Sequence, residues 1–92
     1  MIRRVVVFAP EARDDLLDLY NYLAEAASPN VAAAYLARLR IWFEGFALAS
    51  ERGTRRDDVR PGLRLIGFER RVTAAFTVDA RRVVFLRVFY GG

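Results

Sequence analysis

The chain has 92 residues, fifteen of them arginine and eleven acidic, with no lysine, histidine or cysteine. That composition excludes disulfides, thiolate metal sites and histidine chemistry, and it leaves a cation that can bind and polarise but cannot act as a general base. The length predicts one domain, residues 1–92, and no apolar run approaches the ~18–20 residues of a membrane span.

Arg3 to Phe8 (RRVVVF) is β-branched and apolar and predicts a largely buried strand. Only Val5 to Ala9 follow the two arginines before Pro10, too short for a secretory apolar region, so the expected location is the cytoplasm. Pro10 suits a first helical position, and Glu11, Asp14 and Asp15 suit the positive end of a helix. Ala9 offers no side-chain cap. From Pro10 to about Ala27, residues Ala12, Leu16, Leu19, Tyr20, Leu23 and Ala27 fall on one face. Glu11, Asp14, Asp18, Asn21 and Glu25 fall on the other. Ser28-Pro29-Asn30 breaks the helix, with Asn30 expected to cap the next one.

The second helix, Val31 to about Ala49, has one broad apolar face: Ala32, Tyr35, Leu36, Leu39, Phe43 and Phe46, with Trp42 at its edge. A narrower stripe of Ala34, Ala37, Ile41 and Leu48 lies roughly opposite. A helix packed on one side does not need that stripe. It predicts either a more enclosed helix or a partner helix laid alongside. The short break between the two helices predicts an antiparallel hairpin.

Residues 50–62 lack apolar periodicity and read as a connector. Leu63 to Phe68 is a strand, with a bulge or turn expected at Gly67. Glu69 and Arg70 turn the chain into Arg71 to Val78, and Asp79-Ala80-Arg81 turns it into Arg82 to Tyr90. In the last strand Val84, Leu86 and Val88 should point one way, and Val83, Phe85, Arg87 and Phe89 the other. The predicted fold is α+β, in the order β-αα-βββ. A helical hairpin packs on one face of a small, mainly antiparallel sheet and leaves the other face partly open. Arg87, inside an apolar strand, should project onto that open face, where Arg64 and Arg71 could join it.

Charge is uneven: residues 1–50 carry five arginines and six acids, whereas residues 51–92 carry ten arginines and five acids. Nucleic acid, an acidic partner or simple solvation each fit this basic half. Arg55, Arg56 and Arg60 stand beside Asp57 and Asp58 in a loop that can pair with itself. No Gly-rich loop precedes either helix, and no cofactor or metal is expected.

The order of elements and four segments resemble the ParE toxins of the RelE/ParE superfamily of toxin–antitoxin modules. The segments are FAPEARDDLLDLYNYLAE, ERGTRRDDVRPGLR, FERRVTAAFTVDARRVVFLRV and FYGG, and the stretch ending Arg60-Pro61-Gly62-Leu63-Arg64 is the most specific. The resemblance implies a toxin of a type II module that poisons DNA gyrase and is held inactive by a ParD-type antitoxin. Such a module stabilises a plasmid or acts from the chromosome. Family antitoxins lay a C-terminal segment along the toxin's helices and sheet, which would give Ala34, Ala37, Ile41 and Leu48 an antitoxin-binding role. Many family members have a histidine in the last strand where this chain has Tyr90, and ParE-like proteins often continue for several residues beyond the position of Gly92.

The related RelE branch cleaves mRNA on the ribosome, so an endoribonuclease is the alternative. Arg64, Arg71 and Arg87 could stabilise a phosphate's developing charge. A base is harder to find, because Tyr90, Glu69, Asp57 and Asp58 are what remains and a tyrosine titrates near ~10 unless perturbed. The expected function is therefore non-enzymatic, with Arg64, Arg71, Arg87 and Tyr90 as target-binding candidates. No aromatics alternate with arginines on an exposed surface, so no sequence-specific DNA binding is expected.

Overall fold

The computed structural model describes residues 2–91. Its elements are β1 (Val5–Phe8), α1 (Pro10–Ala26), α2 (Pro29–Glu44), β2 (Thr54–Arg55), β3 (Arg64–Phe68), β4 (Val72–Val78) and β5 (Arg82–Tyr90), with one 3₁₀ turn at Gly45–Ala47. The five strands form a single mixed sheet in the order β1-β5-β4-β3-β2. Only β1 runs parallel to its neighbour, β5; the other pairs are antiparallel. The expected α+β architecture is present, and among the described residues no helix is long and apolar enough to cross a membrane.

Pro10 opens α1, and Ala9 provides no side-chain cap. The start of α2 differs from expectation. Ser28, not Asn30, is the N-cap: its Oγ accepts a hydrogen bond from the Val31 amide at 3.1 Å. Pro29 explains the shift, because its fixed φ and missing N–H suit the first helical position, which moves the cap one residue before it. The α-helix stops at Glu44 and tightens into the 3₁₀ turn, short of Ala49.

Both helices lie on one sheet face, and the core between them is aromatic. Phe43 meets Phe85 at 4.6 Å between ring centres and Phe8 at 4.9 Å, and Phe46 meets Phe85 at 5.1 Å and Phe76 at 5.3 Å. Edge-to-face pairs of this kind each contribute about 0.5–1.5 kcal/mol beyond area burial. Leu39, Phe46, Phe76, Val83 and Phe85 are fully buried.

Two features of the sheet depart from regular alternation. The connector holds a short strand, β2, whose Thr54 and Arg55 pair with Leu65 and Arg64. Gly53 launches it with φ +78°, where a Cβ would stand 2.3 Å from the Leu65 carbonyl oxygen. The other departure is a bulge in β5 rather than at Gly67, which pairs regularly with Thr73. Phe76 pairs with Phe85 and Ala75 with Arg87, so Leu86 is the extra residue. The phase of β5 changes across it. Val83 and Phe85 face the helices before the bulge; buried Val88 and half-buried Tyr90 do so after it. The expected grouping of Val84, Leu86 and Val88 on one face is therefore corrected.

At the β3–β4 turn, Glu69 and Arg70 both have positive φ, 48° and 64°. That pair of signs is the type I′ hairpin geometry, which matches the twist of the strands it joins. Arg38 of α2 holds the turn through two bonds to the Glu69 carboxylate, both 3.0 Å.

Candidate functional site

The bulge decides the environment of Arg87. With regular alternation it would share the buried face of Val83 and Phe85; the extra residue turns it to the uncovered face. There it does not stand free. Its Nε and Nη2 donate to Asp15 of α1 at 2.8 and 3.0 Å. Asp15 Oδ2 also accepts the Val88 amide at 2.8 Å. β1 pairs with β5 only from Arg82 to Phe85, so beyond that point one carboxylate stands in for the missing strand neighbour. The Arg87 hydrogen bond is the largest influence holding the Asp15 carboxyl below its ordinary range; the Val88 amide adds to it, and partial burial opposes it. Asp15 was not singled out from the sequence. The available signal was its position three residues after Ala12 and four before Leu19, an acid among buried positions.

Arg71 and Tyr90 meet at the far end of the same strand. They line an open cleft of about 600 Å³ with Asp15, Asp18, Leu19, Tyr22, Val88 and Phe89. Arg71 is exposed, and its side chain forms no hydrogen bond or ion pair among the described residues. Tyr90 is half-buried against aromatic neighbours, with ring centres 5.8 Å from Tyr22 and 6.1 Å from Tyr35. Behind them the Tyr35 hydroxyl is buried without a partner, and burial is the main cause pushing its pKa up. Arg38 lies over the Tyr35 ring at 5.1 Å and ties this aromatic cluster to the Glu69 turn.

Arg64 is elsewhere. It pairs with Phe76 on the helix-covered side of the sheet, and its Nη1 donates to the Arg52 carbonyl at 3.3 Å. Val72, beside Arg71, is four residues from Phe76 along β4, roughly 13 Å at ~3.3 Å per residue. The expected meeting of Arg64, Arg71 and Arg87 on one open face does not occur. The connector pairs with itself as expected, Arg55 with Asp57 at 3.1 Å and Arg56 with Asp58 at 3.0 Å.

The second apolar stripe is a surface of α2 for Ala34, Ala37 and Ile41, whereas Leu48 lies past the 3₁₀ turn, beyond the end of the helix. Ala34, Ala37, Ile41 and Leu48 are all exposed, Ile41 to 64% and Leu48 to 50%. Enclosure, one of the two explanations for the stripe, is thus removed.

A two-helix hairpin on a mixed five-stranded sheet, with an exposed apolar helix face and a cleft lined by aromatics, one arginine and two aspartates, defines a small domain suited to protein contacts. A family profile described as ParE toxin of type II toxin-antitoxin system, parDE, matches residues 6–92. The chain belongs to that family. Among solved structures it is similar to a chain of the chromosomal ParDE toxin–antitoxin system from P. aeruginosa, with a TM-score of 0.83 and 20% identity over 98% of each chain. It is also similar to a chain of the RelBE2 toxin–antitoxin complex from Mycobacterium tuberculosis. That TM-score is 0.61, with 22% identity over 98% of this chain and 100% of the other. These likenesses are of fold. A search of curated protein sequences finds no significant match.

Proposed function

We propose that this ParE-family toxin acts in the cytoplasm by binding DNA gyrase without catalysis, and that a ParD-type antitoxin neutralises it by laying an apolar segment along α2. The observation that carries the partner is the exposed stripe Ala34, Ala37, Ile41 and Leu48. Ala34, Ala37 and Ile41 at helical spacing, opposite a face already buried, with Leu48 exposed just past the 3₁₀ turn, offer a partner helix a strip to cover.

The non-catalytic reading is supported by the dispersal of the arginines. Cleavage by a 2′-hydroxyl needs a base, a charge stabiliser and a proton donor converging on one phosphate. Here Arg87 is held by Asp15, and Arg64 lies on the other side of the sheet. Of the four target-binding candidates, Arg71 and Tyr90 line the cleft.

Purified toxin, freed of antitoxin, should inhibit supercoiling by gyrase while leaving ribosome-bound mRNA intact. Codon-linked mRNA cuts with gyrase unaffected would overturn the reading and give Arg71 and Tyr90 a catalytic role.

A further inference from the structure

The parallel pairing of β1 with β5 brings together charges that are far apart in sequence. It sets Val5 opposite Arg82, and the Val5 amide donates to the Arg81 carbonyl at 2.8 Å. Two Arg-Arg pairs, Arg3-Arg4 and Arg81-Arg82, therefore share one corner of the sheet. With strands ~4.8 Å apart and residues ~3.3 Å apart along them, the four Cα atoms fall within roughly 10 Å. Arg4 is tied in by its Nε, which donates to the Asp79 carbonyl at 2.7 Å. Arg3, Arg81 and Arg82 are exposed.

Two shallow clefts meet at Val5, one lined by Arg3, Arg4 and Glu44, the other by Asp79, Arg81 and Arg82. Asp79 and Glu44 are the acids lining these clefts. Asp79 is already engaged: its Oδ1 accepts the Arg81 and Arg82 amides at 2.8 and 2.7 Å, and Arg82 Nε lies 3.6 Å from Oδ2. The side chains of Arg3 and Arg81 form no hydrogen bond or ion pair among the described residues.

We propose that this corner is a sequence-blind docking site for the phosphate backbone of duplex DNA. Like charges held this close repel one another unless an anion lies among them, and guanidinium groups match phosphate oxygens through forked hydrogen bonds. No aromatic side chain lines either cleft, so nothing can stack on unpaired bases; this favours a duplex over a single strand. Contacts to phosphates alone position a protein on DNA without reading its sequence. An acidic peptide would need an apolar anchor pocket, and the corner offers only exposed Val5, half-buried Val6 and two alanines. The inference stands apart from the identity of the poisoned enzyme, because it concerns DNA alone.

The test is fluorescence anisotropy of a labelled duplex titrated with the full chain, at several salt concentrations and without gyrase. R3Q/R81Q should weaken binding roughly tenfold at low salt and flatten the slope of log K against log salt by about 1.8, as expected for two lost phosphate contacts. R13Q/R40Q, which alters exposed arginines on the two helices, should leave both quantities unchanged. The proposal is overturned if R3Q/R81Q, shown to be folded by circular dichroism, retains the parent affinity and slope. Equal binding of single strands would also overturn it, as would tighter binding of a glutamate-rich peptide of matched charge.

Discussion

Replacing Ile41 with aspartate tests the proposed antitoxin surface directly. Ile41 is 64% exposed on α2, so its loss leaves no cavity, and the folded chain should change in stability by no more than about 0.5 kcal/mol. In a complex the outcome differs. Full burial of an isoleucine side chain contributes about 1.5–3 kcal/mol, and the exposed part of Ile41 accounts for about 1–2 kcal/mol of that. A carboxylate in its place forfeits this contribution and adds a desolvation cost when a partner covers it. Since each ~1.4 kcal/mol is tenfold in affinity, binding should fall at least about five- to thirtyfold. Isothermal titration calorimetry with the cognate antitoxin measures the affinity, and thermal melting of the free toxin checks the fold. Leu17 and Val59 are the controls, exposed to 60% and 63% but outside the stripe. Unchanged affinity for Ile41→Asp, or an equal loss for Leu17→Asp and Val59→Asp, would refute α2 as the docking face.

Two further substitutions probe the frame behind these surfaces. Asp15→Asn should cost about 1 kcal/mol at neutral pH, because it weakens the anchor for the Val88 amide in a side chain only 13% exposed. The folded Asp15 carboxyl titrates below its unfolded value near ~3.9, so its contribution is complete above that pH and is lost as pH falls through the folded value. Urea melts of both proteins should therefore differ at pH ~7 and draw together as pH falls below ~3.9; a gap that does not narrow in acid would refute the ionic account. Gly53→Ala should destabilise by about 2 kcal/mol or more, because φ is +78° and the new Cβ meets the Leu65 carbonyl at 2.3 Å. A melting temperature within a degree or two of the parent would show that β2 is dispensable.

The helices were legible because each is long enough for its 3.6-residue period to repeat, and the long strands because turn residues bracket apolar runs. What escaped was short or non-local. β2 has two residues, too few for any period to declare itself. Ser28 and Asn30 are equally good caps by type; the deciding residue is Pro29 between them. The β5 bulge leaves no local signature, as Leu86 is as apolar as its neighbours. Arg87 reached the uncovered face as expected, but for a different reason: the chain slips one residue, and the grouping with Val83 and Phe85 fails. Its partner, Asp15, is 72 positions away. No spacing rule connects residues at that separation; only the fold does.

Containment of Arg87 narrows where a target can be met. A target that draws on Arg87 must break a bidentate bond and leave the mostly buried Asp15 carboxylate without its cation, a penalty of the kind buried unpaired groups carry. Arg71 carries no such penalty, and it stands beside Tyr90 at the cleft. On the proposed function, target contact at that end of the sheet falls to Arg71 and Tyr90 before Arg87 or Arg64. None of the four stripe residues lines the cleft. Under the proposed function, an antitoxin held by the stripe alone leaves Arg71 open. Neutralisation then requires one of two arrangements: the antitoxin chain continues past the Glu69 turn to cover the cleft, or the target is met on α2 itself. Arg71→Glu distinguishes them in one pair of assays. Loss of gyrase inhibition with antitoxin affinity lowered argues for a partner that reaches the cleft, whereas unchanged inhibition moves target recognition onto the helices.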